Sequence, residues 1–168
     1  MTCVGIKRIG RRARNAALLA ALTACAQLPP VGTSAVPRVP PGQARIWVYR
    51  DLDTSLIPEV PYVRFNGVIA GAANEGGAFY RDVAPGTYHV TVDSIGTDVN
   101  QASDVTLVAG QEGYIHVLQL DNWFESAHYL AGVQHATFYA WLMPPEIGRA
   151  EVWRSGYYGG GELTASLR

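Results

Sequence analysis

Phe79-Tyr80-Arg81-Asp82-Val83-Ala84-Pro85-Gly86-Thr87-Tyr88-His89-Val90-Thr91-Val92 is the stretch that decides the fold class. From Thr87 onward polar and apolar residues alternate. Tyr88, Val90 and Val92 fall on one side and Thr87, His89 and Thr91 on the other, the period of a half-buried strand. Pro85-Gly86 reads as a tight turn, because Pro presets φ and Gly accepts a positive φ, so the runs before and after it are expected to pair as a hairpin. A second hairpin signal is Asn66-Gly67, between residues 62–65 and 68–72. These signals predict an all-β, mainly antiparallel, sandwich-like domain.

Working outward, residues 44–50 alternate, with Ala44, Ile46 and Val48 facing one way and Arg45, Trp47 and Tyr49 the other. Residues 74–77 read as a turn, 104–108 as a short strand and Ala109-Gly110 as another turn. In residues 111–120, Tyr114, His116, Leu118 and Leu120 alternate with Ile115 and Val117, so both faces are apolar and the strand is expected to be central and covered twice. Residues 121–126 read as an aromatic loop, and 129–143 as one or two strands. Pro144-Pro145 then opens a short C-terminal helix over 146–154.

The chain holds 168 residues, which favours one domain, and 48% of them are hydrophobic, enough for a globular core. The near-neutral charge of −1 hides an asymmetry. Lys7, Arg8, Arg11, Arg12 and Arg14 crowd the start, and the rest of the chain has no lysine and an excess of acid. An acidic body repels phosphate backbones, which argues against a nucleic-acid partner.

Residues 1–24 have the layout of a secretory signal peptide: a basic segment, an apolar run over 16–24 too short to span a bilayer, and small residues at the exit. Leu22-Thr23-Ala24-Cys25 resembles the bacterial lipobox. That resemblance implies cleavage before Cys25, diacylglycerol on its sulfur and an acyl chain such as palmitate on its amine. Several acyl chains on one residue anchor stably where a single chain is marginal. The alternatives are an ordinary leader cut near Ala24 and an unmodified thiol. Ala26, where enteric lipoproteins retained at the inner membrane carry Asp, favours the outer membrane, facing the periplasm. Residues 25–43, with Pro29, Pro30, Pro37, Pro40 and Pro41, read as the lipidated Cys and a Pro-rich tether. Fully extended, such a tether holds a domain up to roughly 50 Å from the lipid. The domain is expected over 44–155 and a flexible Gly/Tyr tail over 156–168.

Four elements occur in order: Ala-Arg-Ile-x-Val-Tyr-Arg at 44–50, Asn66-Gly67 with Gly71, Val-x-Pro-Gly-x-Tyr at 83–88, and Ala-Gly-Gln-x-x-Tyr-Ile at 109–115. Together they resemble the bacterial domain-of-unknown-function family 2846, whose members are often small lipoproteins. The resemblance implies a fold and a compartment, and brings no catalytic residues.

Local chemistry is sparse. His116, His128 and His135 match no zinc spacing, and His89 falls on the polar face of its strand. Of Asp93, Asp98 and Asn100 only the last two have the alternate spacing of a calcium loop, and its glycine and closing glutamate are missing. No Gly-x-Ser-x-Gly elbow, Ser-x-x-Lys or phosphate-cradling Gly loop occurs. The aromatics divide between core and surface. Most are expected in the core, with Trp123 and Phe124, or Tyr157 and Tyr158, as candidate contacts for an envelope protein, a glycan or the lipid surface. The reading is therefore a membrane-anchored, non-catalytic binding or assembly module with no cofactor and no metal. The alternative is an envelope hydrolase or metal-dependent enzyme with an active site built from loops such as 51–61 and 96–103.

Overall fold

The computed structural model describes residues 27–52, 60–94, 101–127 and 131–163. Two sheets face each other. The first has the order β8-β7-β1-β4-β9, with β1 Ala44–Tyr49, β4 Gly77–Val83, β7 Glu112–Ala127, β8 Ala131–Met143 and β9 Gly156–Gly159. The second has the order β3-β2-β5-β6, with β2 Tyr62–Phe65, β3 Val68–Ala72, β5 Gly86–Val92 and β6 Ala102–Leu107. Among the described residues one α-helix, α1 Pro145–Arg154, lies on the outer face of the first sheet. The architecture is the expected sandwich.

Alternation does what it predicted. Ala44, Ile46 and Val48 enter the core between the sheets with Phe65, Phe79, Val90, Val92 and Ile115, while Trp47 and Tyr49 pack on the opposite face. The Asn66-Gly67 turn joins β2 to β3 with φ of 50° and 82°, the two positive values a two-residue hairpin needs. Gly71 makes room for a core side chain: a Cβ there would come within 2.8 Å of the Phe79 ring. Pro145 opens α1 where its missing N–H costs nothing, Glu146 in the first turn and Arg154 in the last complement the dipole, and Gly148 lets the helix close on Tyr114.

Four expectations need correction. Pro85-Gly86 makes no hairpin: β4 pairs with β1 and β9 in the first sheet, and β5 with β2 and β6 in the second. The turn carries the chain from one sheet to the other, because β4 already has partners on both edges. The aromatic loop expected at 121–126 is instead strand, the outer part of the long β7–β8 hairpin. Gly156-Tyr157-Tyr158-Gly159 is a parallel edge strand on β4, not a mobile tail. From Pro29 onward the segment expected to be a free tether is held on the domain. Val31 is buried in a 3-10 turn, Pro30 bridges Gly156, and Val36 packs on the outer cluster of aromatic side chains.

Strand β7 is central, as expected, between β1 and β8. Its double cover ends early. Tyr114 and His116 are buried, but Leu120 is exposed, because α1 covers only the part of the outer face nearest β1.

Candidate functional site

Strand β1 runs parallel to β7 and antiparallel to β4, so its outward side chains meet Glu112, Tyr114 and His116 on one edge and Asp82, Tyr80 and Ala78 on the other. At the start of β1, Arg45 and Asp82 sit directly opposite and form a bidentate pair at 2.7 and 3.0 Å, both buried. Arg45 also donates to the Pro37 carbonyl at 2.8 Å and stacks over Tyr80 at 3.7 Å. This end is closed by the N-terminal segment.

The far end of β1 is open. Tyr49 stacks on His116, centroids 4.6 Å apart and planes 8° from parallel, and its hydroxyl donates to Glu151 of α1. Burial, then Glu151, pushes the Tyr49 phenol well above its ordinary range, so it stays protonated. Arg50 turns to the opposite side and is buried. It reaches Glu75 and Gln119 at 3.1 Å each and lies 5.1 Å from the centroid of Phe138. Asp51 is exposed, with Oδ2 3.1 Å from His116 Nε2 in a geometry that makes no hydrogen bond.

Two adjoining depressions share Arg50, Asp51 and Leu52. One of about 290 Å³ continues to Gly76, Glu151, Arg154 and Ser155, and one of about 260 Å³ continues to His116, Leu118 and Gln119. Register places Trp141 of β8 opposite His116 on the same face, one strand beyond the residues that line the cleft, and Trp141 is 47% exposed. A separate apolar slot of about 230 Å³ lies between the N-terminal segment and α1, near Val36, Trp47 and Trp153. On its rim Arg149 donates to the Tyr114 hydroxyl at 3.0 Å, and Tyr114 donates to Glu112 at 2.7 Å. Burial leads in pushing Tyr114 up to about 12.

The residues singled out from sequence scatter. Cys25 and the lipobox residues Leu22, Thr23 and Ala24 lie outside the described residues. Trp123 and Phe124 belong to β7, where they pair with His135 and Gln134, and not to a loop. Tyr157 and Tyr158 are not free anchors. Tyr157 stacks on Tyr80, with burial leading and Tyr80 next in raising its phenol to about 12, and Tyr158 packs on the core and donates to the Ala72 carbonyl at 2.6 Å. His89 sits on the exposed face as expected, 2.7 Å from Asp104. Among the described residues no three potential metal ligands converge, and no helix is long and apolar enough to cross a membrane.

Tyr49, His116, Asp51 and Glu151 as a group had no signal in the sequence. They meet only through the parallel β1–β7 register and the docking of α1. Comparison with protein-family models, curated proteins and solved structures gives no match for this chain.

Proposed function

We propose that this chain is a bacterial lipoprotein of the family resembled by its four ordered motifs. Cys25 carries the lipid in the outer membrane, and the sandwich is a non-catalytic module that binds an envelope ligand in the cleft at the end of β1. The observation that supports recognition over catalysis is mutual satisfaction. Burial and Glu151 hold the Tyr49 phenol protonated, Ser155 Oγ donates to a backbone carbonyl that cannot take its proton, and Arg50 is engaged by Glu75 and Gln119, so neither hydroxyl is left as an activated nucleophile. The exposed Trp141, cross-strand neighbour of the His116 that Asp51 approaches, suits a sugar, whose apolar ring face lies on an indole while its hydroxyls reach carboxylate and imidazole.

One observation favours an enzyme instead. His116 Nε2 is buried without a hydrogen-bond partner beside an exposed carboxylate, the raw material of a general base. Titrating the purified full chain with peptidoglycan fragments and other envelope oligosaccharides, followed by tryptophan fluorescence, separates the two. A saturable change that Trp141→Ala abolishes, with the sugar recovered intact, is expected. Turnover of any such substrate, lost in His116→Ala, would replace the binding reading with the hydrolase.

A further inference from the structure

The N-terminal segment, read from composition as a long free tether, is fastened to the domain almost from its start. The Pro29 carbonyl accepts from Tyr157 N at 2.8 Å, Val31 N donates to the Ser155 carbonyl at 2.9 Å, and the Pro37 carbonyl accepts from Arg45 at 2.8 Å. Three anchorages along nine residues leave little slack. If Cys25 carries the lipid, four residue steps separate it from the first anchorage at Pro29. At about 3.5 Å per residue that leash cannot exceed roughly 14 Å.

The place where the leash ends is apolar. A Cβ on Gly156 would sit 3.0 Å from Leu28 Cβ, a Cβ on Gly76 would sit 3.5 Å from Leu52 Cβ, and Gly156 N donates to the Gly76 carbonyl at 2.9 Å. Leu28 and Leu52 therefore flank one backbone contact, and they are 49% and 74% exposed. Trp153, 60% exposed, stands over Gly32 on the same segment, and Arg154 lines the neighbouring depression. Two exposed Leu beside Arg154, with an exposed Trp over Gly32 farther along the N-terminal segment, are the composition of an interfacial surface, where apolar groups enter the headgroup layer and an indole or guanidinium stays at its level. Asp51 and Glu151 lie beside Arg154, so attraction to anionic lipid adds little. The leash does the holding.

We propose that the edge formed by Leu28, Leu52 and Trp153 rests on the phospholipid headgroups of the membrane that holds the anchor. The cleft of Arg50 and Asp51 then opens at the membrane surface, and its ligand is met there and not some 50 Å above it. This rests on lipidation of Cys25, and the test keeps the two apart. The full chain is expressed with its leader in a bacterium fed labelled palmitate, purified, and reconstituted into phosphatidylethanolamine and phosphatidylglycerol vesicles containing a headgroup-depth quencher. A fluorophore is placed by Leu52→Cys, or by Thr106→Cys on β6, at the opposite end of the sandwich from Leu52.

Quenching several-fold stronger at 52 than at 106 is expected. Twelve Gly/Ser residues inserted between Ala26 and Gln27 should abolish that difference while the protein still floats with the vesicles. Equal quenching in a palmitate-labelled, floating protein overturns the docking and leaves the anchor standing. A chain without palmitate overturns both.

Discussion

The two ends of β1 hold the same residue type under opposite conditions. Arg45 and Arg50 have side chains that are each 2% exposed. Arg45 faces Asp82, itself 5% exposed, and is sealed by the Pro37 carbonyl and the Tyr80 ring. Arg50 faces Glu75, 18% exposed, beneath two open depressions. A buried arginine therefore marks no site by itself. What separates closure from recognition is whether the partner is also buried and whether the chain passes over it.

Breaking the closed end should give the largest effect. Asp82→Ala leaves the Arg45 guanidinium buried without its carboxylate, and the expected loss is about 3–5 kcal/mol in denaturant unfolding. Replacing both partners, Arg45→Met with Asp82→Leu, should recover most of that loss, since a buried pair is costly to break and cheap to replace. A single variant losing under about 1 kcal/mol would mean that water reaches the pair and that the N-terminal segment is loosely held.

Next is the seat of α1, whose first turns pack on Tyr114 and whose last turn reaches the open end. In an exposed helix, Gly→Ala gains about 1 kcal/mol. At Gly148 the added Cβ would lie 2.3 Å from Tyr114 Cβ, so helix and strand must part, and Gly148→Ala should instead lose about 1–3 kcal/mol. A stabilised variant would show that α1 floats.

Tyr49 sits between the two ends, and pH separates its contribution. Its pKa is raised in the folded state, first by burial and then by Glu151. An unfolded tyrosine ionises near pH 10, so this stabilisation is complete below pH 10 and falls as pH rises above it. Each such tyrosine contributes a slope of about 1.4 kcal/mol per pH unit there. Tyr49→Phe should remove that much of the alkaline slope and, at neutral pH, cost about 1 kcal/mol for the lost bond to Glu151. Unfolding midpoints at pH 7 and pH 11 check both numbers.

Local patterns made the strands legible, and distance in the chain hid the rest. The alternation of β1 and β5 and the Asn66-Gly67 turn are properties of neighbouring residues, and each appears where expected. Pro85-Gly86 misled because the same turn chemistry serves a hairpin and a crossing between sheets, and only the partners of β4 decide which. The segment at 156–159 reads as slack from its glycines, yet Tyr158 reaches the core and Tyr157 reaches Tyr80. Proline content suggested a tether, while the contact that holds it, Pro37 on Arg45 on Asp82, depends on a partner 37 residues beyond Arg45. The stack of Tyr49 on His116 was hidden in the same way, since it needs the parallel pairing of β1 with β7.

Asp51 gives the smallest expected effect and the sharpest division between the two ends. Its side chain is 75% exposed and makes no hydrogen bond to His116 despite the 3.1 Å approach, so truncation leaves no buried group newly orphaned. Asp51→Ala should change unfolding free energy by less than about 0.5 kcal/mol. Its ligand titration should nonetheless fail, because a carboxylate held beside an imidazole and unspent on the fold is free to meet a bound hydroxyl. If Asp51→Ala costs more than about 1 kcal/mol and binding survives, the carboxylate supports the His116–Tyr49 stack. The open end of β1 would then be a second closure, and the search for ligand contacts would move to the slot between the N-terminal segment and α1.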